Sequence, residues 1–137
     1  DLFKLFCSEE RLMPHIHLSL QSGDDLILKR MKRRHSRKQV IELCRSLKSF
    51  RPELTFGADI IVGFPTEKEE HFHNTLDLIE TCGLSNVHVF PYSPKSQTPA
   101  SKMQTADQPR PVWRSRHLCL LVFAWSFRIF PAGLYSL

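Results

Sequence analysis

His15-Ile16-His17-Leu18-Ser19-Leu20-Gln21-Ser22-Gly23-Asp24-Asp25 alternates strictly over its first seven residues. His15, His17, Ser19 and Gln21 fall on one face. Ile16, Leu18 and Leu20 fall on the other, and a period of two means a strand. A strand with one apolar and one polar face usually sits at a surface, polar side to water. The polar set here holds no Lys, Glu or Asp. His, Ser and Gln suit a wet, functional interior, and Gly23 turns the chain into the next element. The stretch is therefore expected to be a barrel strand, with its apolar side on helices and its polar side lining a lumen. An ordinary half-exposed strand would show the same alternation if these residues stood alone.

Upstream, Asp1 to Cys7 reads as the end of an amphipathic helix already under way, with no initiator Met, as expected of a fragment. Pro14 is tolerated at the first residue of a strand. Downstream, Asp24-Asp25 can cap a short helix through Leu26, Leu28 and Met31. Ser36 reads as a second N-cap, and Val40, Ile41, Cys44 and Leu47 then follow helical spacing. Arg51-Pro52 ends that helix. A second strand is expected over Leu54 to Val62, with Asp59, Ile61 and Gly63 on one face and Ala58, Ile60 and Val62 on the other. Gly63-Phe64-Pro65 turns, and Thr66 with Glu69 spells a capping box for a helix through Phe72, Leu76, Ile79 and Cys82. Gly83 is its natural C′ residue. A third strand, Asn86 to Tyr92, puts His88, Phe90 and Tyr92 on one side and Val87 and Val89 on the other.

Strands alternating with helices imply βαβ units and a parallel sheet with right-handed crossovers. The fold class is α/β: about three strand–helix units of a partial parallel (β/α) barrel. Its expected sheet–helix interface is Ile16, Leu18, Leu20, Val40, Ile41, Leu47, Ile60, Val62, Leu76, Ile79, Val87 and Val89. In such sheets ligands meet the carboxyl ends of the strands. Gln21-Ser22-Gly23, Gly63-Phe64-Pro65-Thr66 and Tyr92-Ser93 would then share one functional rim.

The 137 residues make one domain at most and carry a formal net charge of +5. Lys29, Arg30, Lys32, Arg33, Arg34, Arg37 and Lys38 lie in one short run. Such a run favours polyanions, nucleic acid first, although a solvated helix face reads the same way. Cys7, Cys44, Cys82 and Cys119 are far apart, with no CxxC and no CxxxCxxC. They read as reduced thiols of a cytoplasmic protein rather than a metal site.

Three segments carry a resemblance. HLSLQSGDDLILKRMKRRHSR (residues 17–37), ADIIVGFPTEKEEHFHNTLDLIE (58–80) and HVFPYSPKSQTPASKM (88–103) resemble successive motifs of the radical-SAM tRNA methylthiotransferases. The branch that thiomethylates threonylcarbamoyladenosine beside the anticodon is more similar than the branch acting on isopentenyladenosine. The resemblance covers residues 1 to about 103. It implies part of a (β/α)6 barrel, S-adenosylmethionine, two [4Fe-4S] clusters, a tRNA partner, and chemistry at C2 of an adenine. The family's CxxxCxxC loop has no counterpart here, so the chain is expected to ligate neither cluster. On the matching positions, Ser19, Gln21 and Ser22 would face the methionine and ribose parts of the cofactor. The backbone at Ile61 and Gly63 would lie beside its adenine, and Arg33 would meet its carboxylate through a charge-assisted bond. Asp59 and Tyr92 would meet substrate, and Arg30 and Arg34 the tRNA. No catalytic side chain and no metal ligand is assigned. At Lys95-Ser96-Gln97-Thr98 the family more usually shows Arg-Pro-Gly-Thr.

Past Met103 the resemblance stops, and residues 104–137 are expected to be a non-family, poorly ordered tail from a frameshift. Leu118 to Phe127 is almost wholly apolar but too short to span a bilayer, which needs about 20 residues, so no membrane is implied. Two rival readings remain. His15 and His17 could serve a metal-dependent TIM-barrel hydrolase, but no Asp or Lys is seen to complete a shell. Alternatively the chain is a basic RNA-binding piece without catalysis. His71 and His73 diverge on a helix and read as surface residues. Glu67, Glu69 and Glu70 read as first-turn acids favoured by the helix dipole.

Overall fold

The computed structural model describes residues 2–103. The elements run α1 (Leu2–Ser8), β1 (His15–Gln21), α2 (Asp25–Arg30), α3 (Arg37–Phe50), β2 (Thr55–Val62), α4 (Glu69–Cys82) and β3 (Leu84–Pro91), with a 3-10 turn at Pro99–Lys102. The strands form one sheet in the order β1-β2-β3. Both pairings are parallel, with His17 opposite Gly57 and Asp59 opposite His88. This is the expected α/β arrangement. The boundary at residue 103 and the reading of 104–137 lie outside the described residues.

Alternation decides which face is packed. Leu20, Phe56, Ala58, Ile60 and Val62 point to one side of the sheet. There they meet Val40, Cys44 and Leu47 of α3 and Phe72, Leu78, Ile79 and Cys82 of α4. Of the expected interface, Leu20, Val40, Leu47, Ile60, Val62 and Ile79 are buried, and Ile16, Leu18, Ile41, Leu76, Val87 and Val89 pack against them partly covered. Each large apolar side chain so buried contributes roughly 1.5–3 kcal/mol. The other face carries His17, Asp59 and His88 and is open.

The caps are local chemistry. Ser36 accepts from the Gln39 N–H while Gln39 Oε1 accepts from the Ser36 N–H, closing a capping box on α3. Gly83 ends α4 at φ 62°, the left-handed conformation that glycine adopts without penalty. The start of α4 differs from the expected Thr66–Glu69 box. Thr66 sits at φ 73°, whereas an N-cap needs extended backbone. The cap is Lys68, whose N–H donates to His71 Nδ1 at 3.0 Å. His71 is only 6 % exposed, so it is a buried capping residue and not a surface one, while His73 is exposed. Glu67 precedes the helix and is 2 % exposed. It cannot be a solvated first-turn acid.

Asp24 caps α2 and ties it to α4. Its Oδ1 accepts from the N–H groups of Leu26 at 2.9 Å and Ile27 at 3.0 Å, and its Oδ2 accepts from Asn74 at 2.8 Å. Burial works to raise its pKa, but these hydrogen bonds favour the anion more and hold it below the ordinary aspartate value. Its contribution is therefore present above the unfolded-state pKa and lost as pH falls through the lower folded-state pKa. Asp24→Ala should cost about 1–2 kcal/mol near neutrality. In urea melts the gap to wild type should narrow below about pH 4. A gap that does not change with pH would show that the anion is not what caps α2.

Candidate functional site: a cleft at the strand ends

The carboxyl ends of the strands are shaped by left-handed residues. Lys32, at φ 57°, reverses the chain after α2, with its N–H on Lys29 O and the Arg33 N–H on Leu28 O. That reversal brings Arg33 over the sheet end. Gly63, at φ 72°, turns the chain out of β2, and its N–H donates to the buried Glu67 Oε2 at 2.7 Å. Arg30 Nη1 then reaches Thr66 Oγ1 at 2.5 Å. The result is a cleft of about 290 Å³ lined by Arg30, Lys32, Arg33, Ile61, Phe64 and Thr98, among others. Two guanidinium groups can meet a carboxylate or phosphate by paired N–H donation. Ile61 and Phe64 offer an apolar wall to a planar ring.

The sequence-derived site residues divide accordingly. Arg30, Arg33 and Ile61 line this one cleft, and Gly63 forms its turn. Ser19 and Gln21 bond to each other, Gln21 Nε2 donating to Ser19 Oγ at 3.3 Å. The pairing of β1 with β2 shifts between Leu18 and Gln21, where Gln21 takes φ 74° and becomes 8 % exposed. Ser22 is not brought to the cleft. It is fully buried, with its hydroxyl 3.4 Å from Thr75 Oγ1 and accepting the Asp24 N–H. Arg34 is exposed. Tyr92 packs edge-on to Phe64, centroids 5.4 Å apart, and its hydroxyl is the buried side-chain polar atom left without a hydrogen bond among the described residues. Glu67 was missed, because first-turn position alone hid its reach back to Gly63.

On the open sheet face, Asp59 Oδ1 lies 2.9 Å from His17 Nε2 and 3.4 Å from His88 Nδ1. His15 does not join them; its Nδ1 is 2.8 Å from Thr55 Oγ1. The His15/His17 pair of the hydrolase reading is thus not a chelating pair. The view that no acid stands beside His17 is also overturned. Parallel register supplies Asp59 and His88 from neighbouring strands, which a reading of one strand could not see.

Cys44 and Cys82 are buried free thiols in the helix-side core. The hydrogen bond to Cys82, together with burial, pushes the Cys44 thiol well above the ordinary cysteine value, as for an unreactive packing residue. Among the described residues no helix is long and apolar enough to cross a membrane.

The parallel strand–helix units, with a cleft at the carboxyl ends of the strands, have the architecture of part of a (β/α) barrel. The Radical SAM superfamily description matches residues 3–79, and the chain belongs to that family. It is 57 % identical over 108 residues to the threonylcarbamoyladenosine tRNA methylthiotransferase MtaB of Rickettsia prowazekii, covering 79 % of this chain and 26 % of that protein. The MtaB protein of Aquifex aeolicus is 44 % identical over 104 residues, 76 % of this chain and 25 % of its own length. The tRNA-2-methylthio-N(6)-dimethylallyladenosine synthase of Ehrlichia canis is 44 % identical over 102 residues, 74 % of this chain and 23 % of its own. The chain thus spans about a quarter of the length of these relatives.

Proposed function

We propose that residues 1–103 form part of the cofactor and substrate wall of a radical-SAM tRNA methylthiotransferase. The reaction adds a methylthio group at C2 of a hypermodified adenosine beside the anticodon, and threonylcarbamoyladenosine is the favoured substrate. The cleft at the strand ends carries this reading, because it gathers Arg30, Arg33 and Ile61 within the segment shared with the relatives. S-Adenosylmethionine, bound with its iron–sulfur cluster, supplies C–H activation. The residues present fit that cofactor. Arg33 matches its carboxylate, and Ile61 and Phe64 match its adenine. Glu67 holds the Gly63 turn beside the adenine position. Ser19 and Gln21 fix the end of β1, and Ser22 positions the following turn without touching ligand.

Cys44 and Cys82 belong to the helix layer, whereas the cleft lies at the strand ends. We infer that Cys44 and Cys82 are packing residues and not cluster ligands. tRNA modification and a basic surface both fit a cytoplasmic protein.

The test is a chimera, with residues 1–103 replacing the matching segment of the Rickettsia prowazekii protein. The chimera should produce methylthiolated tRNA nucleoside, read by mass spectrometry. Arg33→Gln in the chimera should raise the cofactor dissociation constant about 10- to 100-fold, as for loss of a hydrogen bond to a charged group, with tRNA affinity unchanged. A chimera that carries its clusters and makes no product would reject the functional reading. An unchanged cofactor affinity would remove Arg33 from the site.

A further inference from the structure

Asp59 stands mid-strand at the centre of the open sheet face, with one imidazole on each side. His17 comes from β1, Asp59 from β2 and His88 from β3, so three adjacent parallel strands each supply one donor. We propose that these residues form a binding site for a divalent transition-metal ion, of the zinc or cobalt class. The proposal does not depend on the tRNA reading.

Convergence is the first argument. The three donor atoms, His17 Nε2, Asp59 Oδ1 and His88 Nδ1, all lie within 4.8 Å of one another, and two of the separations are 2.9 and 3.4 Å. Ligands about 2.0–2.2 Å from a tetrahedral ion lie about 3.3 Å apart. His17 Nε2 and His88 Nδ1 approach the same carboxylate oxygen, Asp59 Oδ1, from the two neighbouring strands, so one ion could be reached by all three side chains.

The second argument is accommodation. His17 crosses Gly57, where a Cβ would come within 2.7 Å of His17 Nδ1 and 3.2 Å of His15 Nε2. Glycine at this position lets the His17 ring lie flat against β2 with Nε2 turned to Asp59. The ligands sit on strands rather than loops, so their backbone is fixed before an ion arrives. The side chains of His17, Asp59 and His88 remain 35 %, 32 % and 55 % exposed, which leaves a coordination position for water or substrate.

The donor set selects the ion. Two imidazole nitrogens and one carboxylate suit zinc, cobalt or nickel, whereas calcium and magnesium need more oxygen ligands. Bound there, the ion would clasp all three strands below the rim cleft.

Cobalt(II) titration of the reduced 137-residue chain tests this. One equivalent should bind in the micromolar range and give visible d–d bands without thiolate-to-cobalt charge transfer. Zinc should displace it and raise Tm. Asp59→Asn and His88→Ala should each weaken binding at least about tenfold, while His15→Ala and the Cys44→Ser/Cys82→Ser pair should leave it unchanged. His88 is exposed, so its truncation does not put folding at stake. No saturable binding, a thiolate charge-transfer band, or affinity unaffected by Asp59→Asn and His88→Ala would each overturn the site.

Discussion

Gly23→Ala should cost the chain a large part of its stability, about 3 kcal/mol or more. An alanine Cβ at this position would lie 2.6 Å from the Thr75 Cα, 2.8 Å from the Asn74 carbonyl oxygen and 3.0 Å from Leu78 Cβ. The two shortest approaches are to the backbone of α4, which cannot rotate aside as a side-chain tip would. The loop cannot retreat easily either. The Gly23 N–H donates to Thr75 Oγ1 at 3.0 Å, and the Gly23 carbonyl accepts from Arg37 Nη1 at 3.0 Å. Arg37 also donates to the Asn74 carbonyl at 2.5 Å and to the Asp77 carboxylate, binding loop, α3 and α4 into one knot. Overpacking a well-packed site costs about 1–3 kcal/mol and occasionally more. With backbone on both sides, Gly23 belongs at or above the top of that range, against a typical total of about 5–15 kcal/mol. The urea midpoint should fall sharply with an unchanged m-value. Gly83→Ala is the control: its nearest neighbour is the Lys48 Nζ at 3.5 Å, and only its positive φ is unfavourable to alanine, at about 1–2 kcal/mol. Equal midpoints for the two variants would show that the close approach at Gly23 relaxes freely.

Much of this architecture was legible because it is written in local periodicity. The alternation from His15 to Gln21 marks β1 to the residue, and Ser36 with Gln39 announces the α3 cap. Boundaries failed where tertiary contacts overrode local signals. Thr66 has the right spacing to Glu69 for a capping box, but its left-handed backbone and its bond to Arg30 place it in the turn before α4. His71 has helical neighbours that suggest solvent, yet the Lys68 N–H draws its ring inward.

The site was legible by strand and not across strands. Gly63 could be placed at a strand end from the element order alone, whereas Arg33 and Ile61 came to the site through the family resemblance. The grouping of His17, Asp59 and His88 depends on the relative register of three strands separated by crossover helices. No spacing within one segment encodes that register. Asp59 opposite His88 is a property of the assembled sheet. Ser22 illustrates the opposite error: it was expected at the cofactor, but it is buried away from the cleft and its hydroxyl serves the fold.

The basic run should lose its hold on RNA unevenly, because its charges are not equally free. Arg37 is committed to Gly23, Asn74 and Asp77, Lys38 stands 3.8 Å from Glu42, and Arg30 reaches Thr66. Lys29, Lys32 and Arg34 are exposed, and Lys32 lines the cleft. If the run meets tRNA phosphates, these three do so at least cost in internal contacts. Replacing all three with Gln should lower the slope of log affinity against log salt by about two to three units, and weaken low-salt binding by about two to three orders of magnitude. Arg33 is left in place, since its test is cofactor affinity. Arg37→Gln should instead lower the urea midpoint and leave the salt slope nearly intact, because its guanidinium is already engaged within the fold. A triple variant with the wild-type slope would reduce the run to a solvated face. A slope that collapses with Arg37→Gln alone would mean that the knot at Gly23 opens to meet the RNA.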